Sequence, residues 1–249
     1  MTAPLTVRPI VFTTEPAGWL HLLDGLGART VVDGRGWSVL ALRAGRVAVH
    51  AVGGDDPLAG TTRLAFEVPD LDGFQHRHAA ALEAAGATVE SATAGHGRLL
   101  RVRAADGTEL QVDPREPELG TPPATAPVVM PLWYSPDVAT AQATLEALGL
   151  QPRISSDSGG WVDLAAPEGG GQHAAHYARR PGTQLSFEHD DVVALVAQLD
   201  LAGIAADVID ESYGRTAHIS NPERPDEVEA RVWVNEVQRD LYGYRRLSS

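Results

Sequence analysis

Two well-separated segments of this chain carry the same phrase. Arg63 to Gly86 reads RLAFEVPDLDGFQHRHAAALEAAG, and Gln184 to Gly203 reads QLSFEHDDVVALVAQLDLAG. Phe66 answers to Phe187, Glu67 to Glu188, Asp70 to Asp191 and Gly86 to Gly203. A long-period self-match constrains architecture more than any local propensity, because each copy must be the same supersecondary unit. In the first copy Leu64, Phe66 and Val68 alternate with Arg63, Ala65 and Glu67, the period of a half-buried strand. Pro69-Asp70 breaks the strand and supplies a helix cap. Leu71, Phe74, His78, Leu82 and Ala85 then recur at helical spacing up to Gly86.

The same grammar runs through the whole chain. Val7 to Phe12 reads as a strand, and Thr14-Glu15-Pro16 as a helix start with a capping hydroxyl and an early proline. The helix face is Trp19, Leu20, Leu22, Leu23 and Leu26, and Gly27 stops it. Three short strands follow, at Thr30 to Asp33, Trp37 to Leu42 and Val47 to Val52, so this unit reads βαβββ. The repeated stretch continues with strands at Thr88 to Ser91, Arg98 to Arg103 and Leu110 to Asp113. PREPELGTPPATAP, Pro114 to Pro127, lacks periodicity and reads as a linker. The pattern then restarts. Val128 to Tyr134 matches the first strand, Ser135-Pro136-Asp137 is another helix start, and Trp161 and His176 stand where Trp37 and His50 stood. YGR at Tyr213 echoes HGR at His96, and Tyr242 to Ser249 reads as a basic tail.

Four units of this size cannot each bury a sheet face alone, so they must pair. The expected class is α+β: four βαβββ modules pairing into two cupped mixed sheets, with helices on the convex faces. The expected halves are 1–117 (modules about 6–54 and 60–114) and 128–249 (modules about 128–180 and 182–238), joined by 118–127. Which modules pair is left open.

Composition narrows the partners. A formal charge of −13 with no Lys/Arg cluster argues against nucleic acid. No run has the ~18 apolar residues of a membrane span. MTAPLTVRP has no apolar core of a secretory signal. The absence of cysteine removes disulfides, thiolate metal sites and a thiol nucleophile, and is compatible with a cytoplasmic place. A monomer or homodimer is expected. Gly169 to Gly171 do not lie between a strand and a helix, so they are not a nucleotide loop.

Tandem βαβββ units, F-E-[VH]-x-D-[LV] before a helix and G-R-x-x-x-[VI] before a D-G or N-P turn resemble the vicinal oxygen chelate superfamily. That group includes glyoxalase I, bleomycin-resistance proteins and extradiol dioxygenases. The resemblance covers almost the whole chain except the linker and the ends. It implies a paired-module cup, usually holding a divalent metal on His, Gln or Glu from the first and last strands of each unit. Carried onto this sequence, those places fall on His50, Arg63 and Gln111 in one cup and on His176, Gln184 and Arg231 in the other, with no donor near Val7 to Pro9 or Val129 to Pro131.

A guanidinium cannot lose its proton and repels a metal, and an amide oxygen is a weak ligand for one. No cofactor is therefore expected, with a divalent metal as the minor alternative. His, amide and Arg in an apolar cup instead suit a small, partly aromatic or acidic organic molecule. Trp37, Trp161 and Trp133 are candidate stacking surfaces, although each alone is read first as core. The expected function is binding, for sequestration or carriage. The alternative is a lyase, isomerase or dioxygenase of the same superfamily, using one surviving cup with a metal. A third reading is a structural module whose cups are filled by their own side chains. His173 and His176 face opposite ways on one strand. His76, His78, His189 and His218, and the acids at Asp70, Asp72, Asp190-Asp191 and Asp210-Glu211, are read as structural or solvated.

Overall fold

The computed structural model describes residues 5–95, 97–116, 124–211, 214–237 and 244–246. Module one holds β1 (Thr6–Val7), β2 (Ile10–Thr13), α1 (Pro16–Gly25), β3 (Arg29–Gly34), β4 (Trp37–Ala41) and β5 (Arg46–Ala51). Module two holds β6 (Thr61–Val68), α2 (Leu71–Ala84), β7 (Thr88–Ala94), β8 (Gly97–Arg103) and β9 (Glu109–Pro114). Module three holds β10 (Val128–Val129), β11 (Leu132–Ser135), α3 (Val138–Ala147), β12 (Gln151–Ser156), β13 (Trp161–Ala165) and β14 (Gln172–Tyr177). Module four holds β15 (Gly182–Gln184), β16 (Ser186–His189), α4 (Val192–Leu201), β17 (Ala206–Glu211), β18 (Gly214–Ile219) and β19 (Val232–Glu236), and β20 (Tyr244–Arg246) follows. The fold is α+β.

Modules pair in chain order. The first sheet runs β3-β4-β5-β2-β6-β9-β8-β7, and its seam is antiparallel β2 on β6, with Ile10 opposite Arg63. Within each module the first and last strands are parallel, as in β2–β5 and β6–β9. In the second half β11 meets β15 with Leu132 opposite Gln184, the same seam repeated. The strand is interrupted at Leu185, so β10-β16-β19-β18-β17 and β15-β11-β14-β13-β12-β20 are separate ladders.

Several local expectations are corrected. The first strand of each half is broken rather than continuous, because Pro9 and Pro131 have no N–H to give a ladder. The Thr14 hydroxyl does not cap α1, whose N-cap Glu15 makes no side-chain cap bond; it bonds Glu223 of module four at 2.6 Å. The other three helices are capped as read: Asp70, Asp137 and Asp191 accept from Gly73, Thr140 and Ala194 N–H at 2.9, 3.0 and 3.0 Å. Each of the four helices is followed by a glycine at positive φ, Gly27, Gly86, Gly149 and Gly203. Tyr244–Arg246 is a strand paired with β12 rather than a tail; residues 242–243 and 247–249 lie outside the described residues, as do Tyr213, His96 and 117–123 of the linker. The linker's end is packed, with Ala126 buried and Pro127 O accepting from Arg43 N at 3.2 Å.

One apolar core spans both halves. It takes Leu23, Phe66 and Phe74 from the first and Trp133, Phe187 and Leu195 from the second. Concave faces carry separate small clusters: Ile10, Phe12, Val39, Ala48 and Ala65 in the first cup, and Met130, Leu132 and Ala174 in the second.

Candidate functional site

Strand alternation decides what each cup contains. In the first cup β2 presents Ile10 and Phe12, and Arg8 lies on the same side two residues earlier. Arg8 and Arg46 converge on the motif glutamate Glu67: Arg8 Nε is 3.0 Å and Arg46 Nη1 2.9 Å from its two oxygens. Arg8 also pairs with Asp113. Two guanidinium groups thus meet two carboxylates, all buried. Burial is the largest influence on Glu67 and raises its pKa, against the pull of Arg8 and Arg46. The four sequence candidates of this cup surround that network. His50 lies 5.2 Å from Phe12 and 5.4 Å from Trp37, ring to ring. Arg63 stacks 5.3 Å over Phe12, and its Nη1 is 3.5 Å from Gln111 Oε1. Gln111 Nε2 is turned to Asp113, 2.9 Å from both oxygens. Arg8 itself lies 5.3 Å over Trp37.

The second cup uses equivalent positions differently. The ladders make Met130 the counterpart of Arg8, Asp163 of Val39, Arg153 of Val31 and Asn235 of Asp113. Replacing Arg8 by Met130 takes the guanidinium out of the centre, and Glu188 is held from the side by Arg153 instead. Arg153 Nη2 and Nη1 are 2.7 and 3.3 Å from the two Glu188 oxygens, and Nη2 is 3.3 Å from Asp163. What remains is a cavity of about 350 Å³ lined by Met130, Leu132, Tyr134, Trp161, Asp163, His176, Glu188, Trp233, Asn235 and Glu236. That is the size of a small ligand site.

Its walls are aromatic. Trp161 stacks on His176 at 6.1 Å, and Tyr134 meets the same imidazole edge-on at 6.2 Å. Trp233 stacks on His218 at 4.9 Å, and its buried Nε1–H has no hydrogen-bond partner among the described residues. Burial pushes His176 down to about 4, so near neutrality the imidazole is uncharged. Burial likewise pushes Asp163 up to about 7; Arg153 opposes the rise and Glu188 adds to it.

Of the candidates read from sequence for this cup, His176 and Trp161 line the cavity. Gln184 and Arg231 do not. They line a different cavity of about 400 Å³ between the halves, with Phe12, Trp19 and Glu223. There Gln184 Nε2 donates to Arg231 O at 2.8 Å, and Arg231 bonds Ser220. The reason is register: Trp233, not Arg231, stands opposite Ser186. Trp133 is also corrected. Its neighbours Leu132 and Tyr134 face the cavity, so Trp133 faces the helices, 1% exposed, with Nε1 donating to Asp106 at 3.0 Å. His78, read as structural or solvated, stacks on Phe74 at 4.3 Å and bonds Ala147 O at 2.8 Å, joining α2 to α3. Asp163, Arg153, Glu188 and Trp233 were not among the candidates. One signal was available for Asp163: an acid at a cup-facing position of the apolar strand WVDLA.

Two halves of two modules each, with parallel first and last strands around a cup, give this chain the vicinal oxygen chelate fold. No family model and no curated protein matches the sequence. Solved structures match the fold. The 2,3-dioxygenase LapB from Pseudomonas sp. KL28 matches at TM-score 0.63 and 17% identity, over 95% of this chain and 92% of that one. Homoprotocatechuate 2,3-dioxygenase from Brevibacterium fuscum, in its anaerobic complex with 3,4-dihydroxyphenylacetate, matches at 0.64 and 14%, over 95% and 82%. An extradiol ring-cleaving dioxygenase from B. fuscum matches at 0.65 and 15%, over 96% and 72%.

These neighbours overturn the expectation of no cofactor for this chain, since extradiol dioxygenases use a catalytic iron(II). The donors present in this chain do not fit such an ion: among the described residues no three His, Asp or Glu are grouped to hold one. Two of the cavity carboxylates, Asp163 and Glu188, are engaged by Arg153, the third, Glu236, pairs with Arg215, and only one imidazole lines the cavity. Among the described residues no helix is long and apolar enough to cross a membrane.

Proposed function

We propose that this protein binds a small, planar, aromatic organic molecule in the cavity of modules three and four, in the cytoplasm, to sequester or carry it. The observation that supports this is the cavity itself: about 350 Å³, walled by Trp161, Trp233 and Tyr134. Aromatic walls favour flat ligands through stacking, worth roughly 0.5–1.5 kcal/mol per ring beyond area burial. The acidic half of the sequence expectation loses its support, because neither Arg63 nor Arg231 lines this space. Isothermal titration with 2-naphthol tests the proposal. Saturable binding of one molecule per chain is expected, weakened roughly tenfold or more by Trp161→Ala or Trp233→Ala. Binding that neither substitution alters would place the ligand elsewhere.

A second reading is favoured by the likeness to ring-cleaving dioxygenases over nearly the whole chain. On it, the same cup belongs to an enzyme of that superfamily with a divalent metal. Oxygen uptake with 3,4-dihydroxyphenylacetate, measured after adding iron(II), is then expected, and His176→Ala should abolish it. Absence of uptake with iron(II) present removes this reading.

A further inference from the structure

We propose that the second cup selects a planar organic monocation, a protonated or quaternised heteroaromatic base, with its ring against the Trp161 and Trp233 walls and its positive centre at Asp163. The inference rests on the binding reading above and specifies the charge of the ligand.

Three carboxylates line the cavity, Asp163, Glu188 and Glu236, and among its described lining residues there is no Lys or Arg. Glu236 is matched outside the cavity by Arg215, whose Nε and Nη2 lie 2.9 and 2.7 Å from its oxygens. Glu188 takes both terminal nitrogens of Arg153. Asp163 has only a third, longer contact with that same guanidinium. Two buried carboxylates therefore share one cation, and the floor is one positive charge short.

The first cup shows that this shortage is not general. There Arg8 and Arg46 face Glu67 and Asp113, two cations for two anions, and the position of Asp163 is held by Val39. The unmatched acid is particular to the cup with the cavity.

In the ligand-free protein a proton supplies the missing charge, which is why burial beside Glu188 holds Asp163 up to about 7. A bound cation would supply it instead and displace that proton. The aromatic walls assist, because ring faces are negative and attract cations. An anion would meet three carboxylates with no cation facing it. The other groups around Asp163 do not change this balance: His176 is kept neutral by burial, and the Tyr134 hydroxyl donates to Gln184 at 3.1 Å.

Isothermal titration of the full chain with three probes of matched shape tests the proposal. N-methylquinolinium carries a fixed charge, 2-naphthol none, and 2-naphthoate the opposite one. The cation should bind at least roughly tenfold tighter than naphthoate near pH 8. Its affinity should rise roughly tenfold or more between about pH 5.5 and pH 8 and level off above, with close to one proton released per cation bound at about pH 6. Asp163→Asn should flatten that pH dependence and reduce the preference for the cation. Equal affinity for cation and anion, or a flat pH profile in the unmodified protein, overturns the charge assignment. If 2-naphthol still binds through Trp161 in that case, the binding reading stands. If none of the three probes binds, both fall.

Discussion

Asp163 and His173 lie on neighbouring strands, both buried, and their protonation pulls stability in opposite directions with pH. Asp163 is pushed up to about 7 by burial, so the folded chain holds a proton that the unfolded chain releases near its ordinary value. Between those limits folding binds a proton, and stability falls as pH rises through about 7. Asp163→Asn keeps the shape, removes the titration and leaves Arg153 matched to Glu188. Its melting temperature, measured by calorimetry, should exceed that of the unmodified protein by several degrees near pH 8, with a clearly smaller gain near pH 5. His173 is the converse. It is fully buried against Phe66 at 5.9 Å, neither ring nitrogen has a well-formed hydrogen bond among the described residues, and burial pushes it down to about 3 against a weaker opposing influence of the Ala174 backbone. The unfolded chain binds a proton there that the folded chain refuses, so stability is present above the ordinary histidine range and lost as pH falls below it. His173→Leu removes a polar group without a partner. It should raise the melting temperature near pH 5 by more than near pH 7.5, and equal shifts at both would show that His173 does not carry the acid sensitivity.

At the level of elements, the helix starts distinguish local from tertiary roles. Asp70 caps α2 through Gly73 N–H, a bond made within the helix's own first turn. Asp70→Ala should cost about 1 kcal/mol in urea unfolding. Thr14 stands at the corresponding place before α1 but is bound to Glu223 of module four, whose carboxyl that contact and the Thr13 hydroxyl draw below its usual range against burial. Thr14→Val should therefore loosen the join between halves rather than fray α1. The contrast explains what was legible from sequence. The four modules were, because each repeats an alternating strand, a cap, an apolar helix face and a glycine stop, all local signals. His176 and Trp161 were, because their counterparts His50 and Trp37 lie at matching places. Trp133, Gln184 and Arg231 were misplaced because a strand's side chains change face with every residue, and the breaks at Pro131 and Leu185 hide the count. Asp163 and Arg153 went unnoticed because their counterparts are Val39 and Val31, so the repeat itself pointed to an apolar pair.

Across the whole molecule part of the join between halves is made by backbone, and glycine permits it. Val7 N–H bonds Gly170 O at 2.7 Å, Val129 N–H bonds Ala44 O at 2.9 Å, and Ala44 bridges Val128. Gly170 has an ordinary φ of −71°, so its backbone would accept alanine without strain. Space would not: an added Cβ would lie 2.0 Å from the Leu5 carbonyl oxygen, a rigid atom of the other half. Gly45 combines both demands, with φ +81° and an added Cβ 2.8 Å from Val129 Cβ. Because the apolar core runs through this join, forcing it open exposes residues of both halves at once. Gly170→Ala should lower the melting temperature by several degrees while leaving a single calorimetric transition, since no half keeps its own closed core. Affinity for 2-naphthol measured well below the transition should stay unchanged, because Gly170 does not line the cavity. Two separate transitions, in the variant or in the unmodified chain, would show instead that each pair of modules folds on its own.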